Sequence, residues 1–68
     1  MKDTIHNTVS NLRKKKGITQ EELAKILNVS RQTIVAIEKG NYIPSLLLGI
    51  KIAKYFTKHV EEIFTYEK

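Results

Sequence analysis

Sixty-eight residues allow at most one domain, taken here as residues 1–68, whose core contributes only a few kcal/mol of net stability. With no cysteine, neither a disulfide nor a thiolate metal site can reinforce it, so dense helix packing, dimerisation or both must; the same composition fits a reducing cytoplasm. A net charge of +5 and a pI near 9.6 point to a polyanionic partner, while the apolar run Ile43 to Ile52, broken by Pro44, Ser45, Gly49 and Lys51, cannot span a bilayer, and the N-terminus has Lys2 but no apolar signal segment.

Along the chain, Ile5, Val9 and Leu12 recur three or four apart and mark one face of a first helix, with Asn7 or Thr8 able to cap it. Gly17 ends that helix, and Lys14, Lys15 and Lys16 fill its last turn. Thr19-Gln20-Glu21-Glu22 is a capping box opening a second helix that runs to about Leu27. Ser30 caps a third helix and Gly40 stops it. Asn41-Tyr42-Ile43-Pro44 is a loop, Ser45 caps a fourth helix reaching about Phe56, and a short fifth covers roughly Val60 to Phe64. The expected class is all-α with five helices. Thr4-Ile5-His6 and Ile63 to Glu67 carry β-favouring residues and form either a short ribbon pairing the two ends or frayed termini.

The second and third helices carry the chemistry. Residues 20–39 place apolar Leu23, Leu27, Val29, Ile34 and Ile37 inward, small Ala24 where two helices must touch, and Asn28 at a turn needing positive φ. That pattern is a helix-turn-helix, whose second helix lies in the major groove of DNA. It opens Ser30-Arg31-Gln32-Thr33. Arg31 suits the paired acceptors of guanine and Gln32 the donor–acceptor edge of adenine. Thr33 offers a hydroxyl and a methyl, unless it caps locally. Val35 or Ala36, whichever faces the groove, can pack on a thymine methyl. Gln20, at a helix N-terminus, suits a phosphate, as does the clamp of Gly40, Asn41 and Tyr42, with Lys39 adding charge. The alternative role for Tyr42 is packing on the domain with its hydroxyl exposed.

Of the two arginines, Arg31 lies on the proposed DNA face. Arg13 sits beside Leu12 on the inner side of the first helix and is expected to pair with Glu38, beside Ile37; a phosphate contact is its alternative role. The cluster Arg13 to Lys16 serves the helix dipole, phosphate attraction or both.

The stretches LRKKKGITQEELAKIL, NVSRQTI, IEKGNYIPSL and KIAKYF…VEEIF resemble the Xre family of Cro/repressor-type regulators with the lambda-repressor-like fold, from Leu12 to Phe64. The resemblance implies a two-fold dimer on operator DNA that represses or activates transcription. It places Gln20, Arg31, Gln32, Thr33 and Ala36 at DNA-facing positions and supports the Arg13–Glu38 pair. Three departures stand out. Leu47, where family members usually carry a polar residue, and Ile43 are exposed apolars that suggest an interface. Gly49 replaces a small alanine and weakens its helix unless another backbone packs closely there. Thr57-Lys58-His59 leaves the last helix without a good cap.

His6 and His59 are too few for a metal site, Glu61-Glu62 reads as a charged first helical turn, and no catalytic constellation or cofactor motif appears. The expected function is a sequence-specific, cytoplasmic DNA-binding regulator, a homodimeric repressor on a two-fold operator. The alternative is an antitoxin or other protein-interaction module, using Ile43, Leu47 and the Phe64–Tyr66 tail against a protein partner.

Overall fold

The computed structural model describes residues 4–67. In chain order they form β1 (Thr4–Asn7), α1 (Val9–Lys15), α2 (Gln20–Leu27), α3 (Arg31–Glu38), α4 (Leu46–Phe56), α5 (Val60–Ile63) and β2 (Phe64–Glu67). The fold is mostly helical, with the two ends joined in an antiparallel ribbon that sets Thr4 opposite Glu67, Ile5 opposite Tyr66, His6 opposite Thr65 and Asn7 opposite Phe64.

The helix boundaries follow from local hydrogen bonding. Thr19 Oγ1 accepts from the Glu22 amide at 3.0 Å while Glu22 Oε1 accepts from the Thr19 amide at 2.7 Å, closing the capping box of α2. Ser30 Oγ accepts from the Thr33 amide at 3.2 Å, and Ser45 Oγ from the Leu48 amide at 3.1 Å. Gly17 and Gly40 take φ of 70° and 79°, where a Cβ is disfavoured. Asn28 takes φ 60° in the turn between α2 and α3. There the Val29 amide reaches the Ala24 carbonyl at 2.9 Å and satisfies the end of α2.

The core is built from one face of each helix. Val9 of α1, Leu23, Ala24 and Leu27 of α2, and Ile34 and Ile37 of α3 are buried. They meet Leu48, Ile52, Ala53 and Phe56 of α4 and Ile63 of α5. Each fully buried branched aliphatic side chain contributes about 1.5–3 kcal/mol, offset by the entropy of ordering the chain. Lys51 of α4 donates to the Leu27 carbonyl at 2.6 Å, placing a cation at the C-terminal end of α2.

Three expectations need correction. Ile5 lies in β1 rather than on the first helix, because Asn7 Oδ1 takes the Val9 amide at 3.1 Å and the helix starts only there. Thr8 occupies the cap position without a side-chain bond; its amide instead donates to the Ile63 carbonyl at 3.0 Å. That bond ends α5 at Ile63 and leaves Phe64 to open β2. The last helix is also capped after all, since the Glu62 carboxylate accepts from the His59 amide at 2.8 Å. Ile63 is fully buried and docks that single turn.

Candidate nucleic-acid interface

The first two residues of α3, Arg31 and Gln32, are exposed. Neither makes a hydrogen bond or ion pair within the described residues. Both therefore project from a capped helix start with their donors and acceptors unspent. Ser30 and Thr33 differ: their hydroxyls lie 2.9 Å apart and bond to each other, so both are engaged in shaping the helix start. Val35 and Ala36, about one turn on, are each half-buried, leaving part of either side chain accessible.

Two groups flank this helix start. At the N-terminus of α2, Gln20 is half-buried and its Nε2 donates to Glu38 Oε1 at 3.1 Å. The second N–H and the oxygen of that amide remain available. Gln20 lines a shallow polar recess with Arg13, Thr19, Glu21 and Arg31. The recess thus brings together the N-terminal end of α2 and the start of α3, with the Glu21 carboxylate opposing any anion there. Beyond α3, Lys39, Asn41 and Tyr42 are exposed. The amides expected to be free in this loop are in part committed. Gly40 N donates to Ile37 O at 3.0 Å and Asn41 N to Ala36 O at 2.9 Å, closing the end of α3.

Arg13 Nε donates to Glu38 Oε2 at 2.7 Å and Nη2 to Oε1 at 3.2 Å, a bidentate pair. Nη1 donates to the Ile18 carbonyl at 2.9 Å. The Glu38 hydrogen bond raises the Arg13 pKa against the opposing effect of burial, so the guanidinium stays charged. Arg13 is thereby turned inward, away from the basic cluster. Lys16 lies 4.7 Å from the centroid of the Tyr55 ring, a cation–π contact, while Lys14 and Lys15 are exposed.

Sequence reasoning gave Asn7 a capping role alone and missed its second bond, in which Nδ2 donates to the Ile37 carbonyl at 2.9 Å. With Oδ1 on the Val9 amide, this one side chain ties the start of α1 to the end of α3. Leu46 and Ile50 were also missed as exposed apolars. Their signal was available: once Leu48, Ile52 and Phe56 face inward at helical spacing, Leu46, Leu47 and Ile50 must face out. Phe64 packs against the core, while Tyr66 is exposed on β2. Among the described residues no helix is long and apolar enough to cross a membrane, and no group of three or more His, Cys, Asp or Glu could hold a metal.

The profile of the helix-turn-helix family matches residues 9–63. An uncharacterised HTH-type transcriptional regulator of Methanocaldococcus jannaschii is 65% identical over 51 residues, covering 75% of this chain and 77% of the relative. One from Bacillus subtilis is 48% identical over 64 residues, covering 94% of this chain and 97% of the relative. Among solved structures, the restriction-modification controller protein C.AhdI from Aeromonas hydrophila superposes with a TM-score of 0.70 at 30% identity, covering 79% of this chain and 78% of that one. A transcriptional regulator from Listeria innocua gives a TM-score of 0.79 at 25% identity over 93% of this chain and 63% of its own. These relatives are DNA-binding transcriptional regulators rather than enzymes. The profile match and the relatives together place the chain in the helix-turn-helix family of Xre, lambda-repressor-like, DNA-binding transcriptional regulators.

Proposed function

We propose that the protein is a sequence-specific, cytoplasmic repressor that binds a two-fold operator as a homodimer, with α3 in the major groove. The observation that carries this reading is the pair of exposed, unspent side chains Arg31 and Gln32 at the capped start of α3. Arg31 reads the acceptors of guanine and Gln32 the edge of adenine, each good pair giving about 1–3 kcal/mol of discrimination. Ser30 and Thr33 hold the helix start in shape, and Ala36 with Val35 supplies apolar contact to a thymine methyl. Gln20, with one N–H held by Glu38, turns the other to a phosphate; Lys39, Asn41 and Tyr42 grip the backbone on the far side. Occupying an operator that overlaps a promoter excludes polymerase, which is repression without a further domain. The apolar patch around Ile43 and Leu47, with Phe64 and Tyr66 nearby in the fold's terminal ribbon, supplies the dimer contact.

In-vitro selection from random duplex DNA at two salt concentrations tests this. The expected result is a two-fold motif with half-sites about one helical turn apart. Arg31→Ala then costs about 1–3 kcal/mol and relaxes one base position. Salt-sensitive retention without an enriched motif would reduce the protein to a non-specific basic binder. The exposed apolar patch also favours a second reading, in which a DNA-binding antitoxin covers a protein partner with that surface. Co-purification of a stoichiometric second protein distinguishes it.

A further inference from the structure

The carboxylates of Glu22, Glu38, Glu62 and Glu67 are all spent inside the fold. Glu22 and Glu62 accept from the Thr19 and His59 amides, Glu38 accepts from Arg13 and Gln20, and Glu67 meets His6 at 2.7 Å. Glu21 and Glu61 are the other carboxylates of this kind among the described residues, and no hydrogen bond or ion pair there holds either. Glu61 belongs to α5. Glu21 stands at the candidate interface: it is exposed, in the first turn of α2, and lines the polar recess that Gln20 and Arg31 share. Glu22 already supplies the acid that caps this helix start, so α2 does not depend on Glu21 to begin.

A free carboxylate at this place opposes binding, because DNA presents a row of phosphates and the net charge of +5 attracts every sequence alike. Of the two arginines lining the recess, Arg13 is locked on Glu38 and Arg31 is uncommitted. On a duplex with no guanine at its register, the Arg31 guanidinium has a second use: pairing with a backbone phosphate, which rewards all sequences equally. A phosphate drawn into the recess for that purpose meets the Glu21 carboxylate. On a guanine, the guanidinium engages the neutral acceptors O6 and N7 in the groove instead. A repulsive element of this kind separates right targets from wrong ones as well as an added attraction does. We infer that Glu21 is a specificity-determining residue that acts by repulsion, denying Arg31 a phosphate and leaving its guanidinium for a guanine edge. This rests on the reading of Arg31 as a base contact and states what keeps that contact selective.

The test measures binding of wild type, Glu21→Gln, Arg31→Ala and the double variant to the duplex enriched by selection and to a random duplex of equal length, across a salt series. Glu61→Gln removes the same charge from α5 and controls for net charge, and thermal melts establish that each variant is folded at the assay temperature. Glu21→Gln tightens binding to both duplexes, and more to the random one, so the operator-to-random affinity ratio falls about two- to fivefold, the worth of one exposed ion pair. Its salt slope steepens by about one unit more on the random duplex than on the operator. Glu61→Gln leaves the ratio unchanged, and in the Arg31→Ala background Glu21→Gln no longer lowers it. A ratio unmoved by Glu21→Gln, one moved equally by Glu61→Gln, or a fall that persists without Arg31 would overturn the repulsive role. Weaker operator binding by Glu21→Gln overturns it too, since the carboxylate would then be an attractive contact. A ratio untouched by Arg31→Ala defeats the base-contact reading itself, a result read from a different variant.

Discussion

Glu38 is the junction most worth breaking. Its carboxylate receives Arg13 Nε at 2.7 Å, Arg13 Nη2 at 3.2 Å and Gln20 Nε2 at 3.1 Å. Glu38→Ala leaves the guanidinium with the Ile18 carbonyl alone. Breaking a fully buried pair costs about 3–5 kcal/mol, while an exposed pair is worth about 0.2–1 kcal/mol. The side chains here are 12% and 7% accessible, nearer the buried limit, but in a domain this small water lies close, so about 2–3 kcal/mol is expected. A 68-residue domain has roughly 3–10 kcal/mol in all. The thermal midpoint should therefore fall by roughly 10–20 °C. Urea and thermal unfolding of Glu38→Ala, Arg13→Ala and the double variant measure it. The second removal relieves a stranded charge, so the double variant should lose at least about 1 kcal/mol less than the sum. Additivity within about 0.5 kcal/mol would show that the two groups are solvated independently and refute the argument.

Other perturbations probe other links. Thr57 ends α4 with φ 57°, a left-handed conformation costly for a β-branched residue, whereas α2 uses Asn28 at the same position with φ 60°. Thr57→Asn should stabilise by about 1 kcal/mol and Asn28→Thr should destabilise by a similar amount; an unchanged urea midpoint for both would show that the strain is relieved elsewhere. Asn7→Ala strips a bond from both the Val9 amide and the Ile37 carbonyl and should cost about 1–2 kcal/mol, with amide exchange at Val9 accelerated. The Glu62 carboxyl is held below the ordinary carboxylate range by the His59 amide, with Lys58 adding attraction against the effect of burial. Its folded pKa being depressed, the α5 cap is complete above the ordinary carboxylate pKa and is lost as pH falls through the lowered value. NMR titration of that carboxyl at an unshifted pKa would remove the cap from the account. Lys39→Ala should weaken binding to every DNA sequence alike and flatten the salt slope by about one unit; an unchanged slope would rule out its phosphate contact.

The helices were legible because their signals are local. Thr19 with Glu22, Ser30, Ser45, Gly17 and Gly40 each mark a boundary within three or four residues, and the structure uses all of them. What was hard to read depends on partners far along the chain. The helical spacing of Ile5 with Val9 and Leu12 is misleading because β2, some sixty residues away, captures Ile5 opposite Tyr66. Asn7 looks like a simple cap until α3 supplies the Ile37 carbonyl. The cap on α5 was overlooked because a carboxylate reaching back to a preceding amide serves even where His59 replaces a hydroxyl residue. At the candidate interface, the exposed positions of Arg31 and Gln32 follow from the helix start. The commitment of the Gly40 and Asn41 amides follows from how α3 ends, which the loop sequence alone does not fix.

The way α3 is held bears on how it could read DNA. Its C-terminal end is fastened at the Ile37 carbonyl by Asn7 and at Glu38 by Arg13 and Gln20, which belong to β1, α1 and α2. Among the described residues, the polar ties at its N-terminal end are those of Ser30 with Thr33 and the turn at Asn28, beside the buried Ile34. The polar anchoring is thus concentrated away from the residues proposed to touch bases, leaving Arg31 and Gln32 unencumbered on a helix whose axis is set from behind. Ordering already achieved in the free protein need not be repeated on binding, which favours affinity for a surface this small. The two arginines divide this work: Arg13 is locked by a carboxylate and orients the helix, while Arg31 keeps its donors for a ligand. Exchanging those roles by removing Glu38 should therefore reduce affinity for the selected operator even well below the melting temperature, with base preference at the Arg31 position retained. Loss of that preference with full affinity would show that Glu38 selects the base rather than the axis.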